Sequence, residues 1–61
     1  MNARQIQAVK LVKEKGEIAL VDLREKFSDV AERTLSRDLQ ALVKKGILKA
    51  RGTKKGRKYG F

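Results

Sequence analysis

Apolar positions recur with helical spacing along most of the chain, and the period shortens only after residue 46. Leu35, Leu39 and Leu42 stand at i, i+4 and i+7, one stripe of an α-helix over Ala31 to Lys45. At about 100° per residue, Arg33, Arg37, Gln40 and Lys44 fall on the other side, three cations and an amide with no acid among them. Upstream, Ile6, Val9 and Val12, flanked by Ala8 and Leu11, predict a first helix over Asn2 to Lys15. Asn2 suits the N-cap, and Gln5 three residues on completes a capping box. Lys13 and Lys15 suit the negative end of the helix dipole, and Gly16 supplies the stop. Leu20, Leu23 and Phe27, at i, i+3 and i+7, predict a brief second helix without a strong N-cap.

The connections are short. Glu17 to Ala19 can form one edge pairing at Ile18. Ser28, Asp29 and Val30 make a tight turn, with Val30 packing inward to fix the angle into the third helix. That helix starts on a weak cap, Ala31, with Glu32 compensating through the dipole, and Gly46 ends it. Asp38, at the edge of the buried stripe, fits a structural pairing, either with Arg37's neighbours or with a basic residue on another element. Ile47 to Arg51 and Arg57 to Phe61 then read as two strands joined by Gly52 to Gly56, a hairpin connection. Alternation places Arg57, Tyr59 and Phe61 on one face, with Tyr59 and Phe61 toward the core, and Lys58 and Gly60 on the other. Arg4 reads as a solvated cation of a scaffold helix.

This order of elements predicts an α+β, mainly helical fold: a winged helix-turn-helix with three helices and a small antiparallel sheet that ends in a C-terminal β-hairpin wing. With 61 residues, the chain suffices for one small domain over 1–61, either standing alone or as a piece of a longer protein. Such a domain buries only about 60% of its unfolded surface. The absence of cysteine excludes disulfide staples, and the absence of histidine makes a zinc site or a histidine-activated nucleophile improbable. No enzyme activity, metal or cofactor is therefore expected. No apolar run approaches the ~20 residues of a membrane span, and the N-terminus lacks a signal-peptide core. A cytoplasmic, nucleoid-associated location without membrane contact is the expectation.

Charge changes the picture most. Through Val30, the cations Arg4, Lys10, Lys13, Lys15, Arg24 and Lys26 are nearly balanced by Glu14, Glu17, Asp22, Glu25 and Asp29. From Ala31 onward, ten lysines and arginines face only Glu32 and Asp38. A net charge of +9 concentrated in the second half calls for a polyanionic partner. Nucleic acid is favoured over a membrane surface, because the cations do not lie on one amphipathic helix with bulky apolar anchors. Double-stranded DNA is favoured over single-stranded RNA, because Phe27, Tyr59 and Phe61 are all assigned to the core and none is left to stack on bases. In helix-turn-helix geometry the third helix, over 32–45, enters the major groove. Arg33, Thr34, Ser36, Arg37 and Gln40 then lie nearest the DNA, while Lys44 and the wing residues Lys54, Lys55, Arg57 and Lys58 meet phosphates.

Leu23, Phe27 and Val30, then Thr34-Leu35-Ser36-Arg37-Asp38-Leu39, then Leu42 and Gly46, resemble the DeoR-type winged helix-turn-helix domain. Ile6, Val9 and Gly16 are also spaced as in that family, so the likeness covers nearly the whole chain. Two positions depart from its pattern: Ser36 stands in place of an arginine, and Ala31 in place of a capping serine. Arg33 to Leu39 and Gly52 to Tyr59 are also similar to the C-terminal winged helix of Fic-domain proteins. The first resemblance implies a DNA-binding transcriptional regulator, whose relatives carry an effector-binding domain after the wing. The second implies a protein-interaction or regulatory module of a larger protein. Homodimerisation, or attachment to a larger protein, would supply affinity that one small module rarely reaches alone.

Overall fold

A computed structural model describes residues 1–53 and 56–61. The chain runs α1 (Ala3–Lys15), β1 (Glu17–Ile18), α2 (Leu20–Lys26), α3 (Glu32–Lys44), β2 (Lys49–Arg51) and β3 (Lys58–Gly60). The strands form one antiparallel sheet in the order β1-β3-β2. Tyr59 at its centre lies opposite Ile18 on one side and Ala50 on the other. Three helices and a three-stranded sheet with a C-terminal hairpin make the winged helix-turn-helix arrangement that the sequence predicts. Lys54 and Lys55, which the sequence places at the wing tip, lie outside the described residues.

The core gathers one stripe from each element. Leu35, Leu39 and Leu42 of α3 are wholly buried against Leu23 of α2, Ala8, Leu11 and Val12 of α1, and Ile18, Leu48 and Tyr59 around the sheet. Leu20, Phe27 and Val30 pack at the margin, so the turn between α2 and α3 is tied inward at both ends. α2 has no side-chain cap at Ala19, but Asp22 Oδ2 accepts from the Ala19 N–H at 2.7 Å and closes the helix start from inside. This backbone hydrogen bond is the chief reason the Asp22 carboxyl sits below its ordinary pKa. Burial opposes it, while Lys15 and, more weakly, Lys58 assist.

α3 ends in a Schellman turn. Gly46 N–H donates to Val43 O at 3.0 Å and Ile47 N–H to Leu42 O at 2.9 Å, which requires the positive φ of 78° at Gly46. That turn aims the chain into β2 and seats Leu48 in the core, a position the sequence reading left unassigned.

Two core assignments are corrected. Ile6 is 41% exposed, whereas Gln5 is 6% exposed. The inward stripe of α1 is therefore Gln5, Ala8 and Val12, with Leu11 beside it. Gln5 is held there by two bonds. Its Oε1 accepts from the Asn2 N–H at 3.0 Å as half of the capping box, and its Nε2 donates to Asp38 O at 3.3 Å. Phe61 is 52% exposed, because β3 ends at Gly60, the last residue with cross-strand partners. Both predicted strands are also shorter than their apolar pattern, by two residues in β2 and by one at each end of β3.

Candidate nucleic-acid interface

α3 is the candidate because its two sides are chemically separated. The leucines lock one side into the core, and Arg33, Arg37, Gln40 and Lys44 are exposed on the other. Thr34 and Ser36 flank this row half-buried. The helix begins at Ala31 without a side-chain cap hydrogen bond, as its sequence predicts. Among the described residues, this face holds one side-chain hydrogen bond, a long one from Gln40 Nε2 to Ser36 Oγ at 3.4 Å.

Asp38, the one acid besides Glu32 in this half, is withdrawn from that surface. It is 7% exposed and accepts from Arg4 Nε at 2.6 Å and from Asn2 Nδ2 at 2.9 Å. Burial alone pushes the Asp38 carboxyl up. The hydrogen bonds from Arg4 and Asn2 outweigh burial and hold it below its ordinary range. Arg4 is raised in turn, chiefly by its hydrogen bond to Asp38. Arg4 is thus a structural partner of α3 and not the solvated cation expected of it. Of the two pairings open to Asp38, the structure shows the one with a basic residue on another element, Arg4 of α1. Glu32 at the start of α3 lies 3.9 Å from Arg24 of α2, an exposed pair across the turn. Both acids of the basic half are therefore engaged by cations of the neutral half.

The wing is less uniform than the sequence suggests. Arg51 and Lys58 are direct cross-strand partners, so their like charges share one face of the hairpin with Lys49. Arg51 is thus a further candidate that the sequence reading did not name, although its alternation with Lys49 around Ala50 carried the signal. Arg57 is half-buried and lines the space between the wing and α3 with Ser36, Gln40 and Tyr59. Arg57 and Lys58 therefore serve opposite sides of the wing. The hairpin turn closes through Gly56 N–H to Thr53 O at 3.1 Å. Gly52 is required beside it: a Cβ there would stand 2.9 Å from Gly56 O, at a φ of 88°.

Residues 4–55 match the DeoR-like helix-turn-helix domain. The chain belongs to that family. DeoR-like helix-turn-helix domains bind DNA in transcription regulation, a binding role and not typically a catalytic one. No match was found among curated proteins or among solved structures. Among the described residues, no helix is long and apolar enough to cross a membrane, and no cluster of three metal-ligating side chains occurs.

Proposed function

We propose that this DeoR-like domain binds double-stranded DNA with α3 in the major groove and the wing on the flanking backbone, as a transcriptional regulator or the DNA-binding part of one. The observation that carries the reading is the exposed, acid-free row of Arg33, Arg37, Gln40 and Lys44 on a helix fixed by three buried leucines. Arg33, Thr34, Ser36, Arg37 and Gln40 address the groove, arginine suiting guanine edges and glutamine adenine edges. Lys44, Lys54, Lys55, Arg57 and Lys58 hold phosphates, and Arg51 joins them from the wing stem. Residues 1–61 act as a single domain in a cytoplasmic, nucleoid-associated protein, with dimerisation or a larger partner chain adding affinity.

Arg37→Ala and the double variant Lys54→Ala/Lys55→Ala test this assignment on a selected duplex and on random duplex. The first is expected to weaken specific binding by about 1–3 kcal/mol with a smaller effect on non-specific binding. The second weakens both alike and flattens the salt slope by about 1.8, at about 0.9 per phosphate. An Arg37→Ala protein with unchanged affinity for both duplexes contradicts the placement of α3. The rival, a protein-docking module of the Fic type, predicts that neither variant changes DNA affinity.

A further inference from the structure

The cleft where α3 meets the foot of the wing holds a group whose hydrogen bonding is incomplete. Ser36 and Gln40 of α3, Arg57 and Tyr59 of the wing, and Leu20 of α2 line a space of about 190 Å³. Arg57 Nε is buried from solvent and has no hydrogen-bond partner among the described residues. A guanidinium nitrogen that has lost water without gaining an acceptor is destabilised. Among the described residues Gln40 Nε2 makes one long bond, to Ser36 Oγ, which leaves a second amide proton and the serine hydroxyl proton to donate. Among the described residues, no carboxylate lines the cleft. Its polar groups are a guanidinium, an amide and two hydroxyls, a donor set suited to a tetrahedral oxyanion.

We propose that this cleft takes one phosphodiester group of the DNA backbone, gripped jointly by Arg57 from the wing and by Ser36 and Gln40 from α3. The inference rests on the DNA-binding reading and changes two roles within it: Ser36 and Gln40 become phosphate ligands and no longer address the groove. A backbone phosphate is favoured over a free anion because the cleft joins the two elements whose cations face the duplex. One shared phosphate fixes the spacing between helix and wing, so the wing is set in register as the helix docks.

The test follows the Arg57 Nε–H resonance by nitrogen-edited NMR of isotope-labelled full chain, assigned by its loss in Arg57→Lys. Titration with a generic duplex is expected to move this resonance together with the α3 backbone amides, while inorganic phosphate at equal phosphate concentration leaves it in place. Arg57→Lys, its folding checked in the same spectra, keeps the charge and hence the salt slope. Duplex affinity falls about tenfold, because lysine cannot offer the planar fork. Gln40→Ala then costs much less in the Arg57→Lys background than alone, the signature of a shared ligand. Moving α3 amides with a stationary Arg57 Nε–H, an equal response to inorganic phosphate, or additive losses would each overturn the shared-phosphate site and leave the DNA-binding reading standing. No movement of any α3 amide with duplex overturns both.

Discussion

α1 and α3 have the same length, 13 residues each, and differ in where their polar groups are satisfied. α1 closes its own start with the Asn2–Gln5 capping box, and Asn2, Arg4 and Gln5 all reach on to Asp38. α3 starts without a side-chain cap, and its outer row is left to solvent. The two acids of the basic half, Asp38 and Glu32, are engaged by Arg4 and Arg24 from the neutral half. The difference teaches how a domain of this size divides labour: the start of one helix turns Asn2, Arg4 and Gln5 onto Asp38, and that network withdraws this acid from the surface of the other.

The comparison breaks first at the core. Leu39→Ala removes a wholly buried side chain of α3 and is expected to cost about 2–5 kcal/mol. That rivals the whole stability of a small domain, about 5 kcal/mol at the low end of the usual range. Thermal melting by circular dichroism should show it largely unfolded. Asp38→Asn tests the network between the helices and is expected to cost about 1–3 kcal/mol near neutral pH, read from the urea midpoint. The sign of its pH dependence follows from the depressed carboxyl. Its contribution is complete above the unfolded value of about 3.9 and is lost as pH falls through the lower folded value. Wild type and variant should therefore converge in acid, and midpoints that stay parallel down to low pH would remove Asp38 from the account.

Smaller changes sharpen the contrast. Ala31 already has the extended backbone of a capping residue, with φ −60° and ψ 140°. Ala31→Ser should therefore stabilise by about 1 kcal/mol in the same urea measurement. Ile6→Ala should change stability by less than about 0.5 kcal/mol, because the side chain points outward. A loss of the 2–5 kcal/mol typical of a buried isoleucine would restore it to the core.

The α3 stripe was legible because its inward positions are leucines throughout, apart from Asp38, and periodicity reads hydrophobicity directly. In α1 the same reasoning failed by one residue. Gln5 is buried through hydrogen bonds to Asn2 and Asp38, so the inward face centres on Ala8 and Val12 and not on Val9, which leaves Ile6 outside it. A polar side chain satisfied by a partner far away in sequence leaves no periodic trace. Arg4 was missed for the same reason, its partner lying 34 positions on. Phe61 has the parity of Tyr59 but no cross-strand neighbour, and alternation cannot tell where pairing stops. In the interface, the exposed row of α3 was readable, whereas the split between Arg57 and Lys58 depended on how the hairpin sits against α3.

The most direct test of the central claim is fluorescence anisotropy of the intact chain with a generic duplex, titrated from about 50 to 200 mM salt. Six phosphate contacts at about 0.9 each predict a log–log slope near −5.4 and a loss of about 1,800-fold across that range. Absence of binding at the lowest salt, or binding that ignores salt, would contradict the account and turn the basic face toward an acidic protein partner.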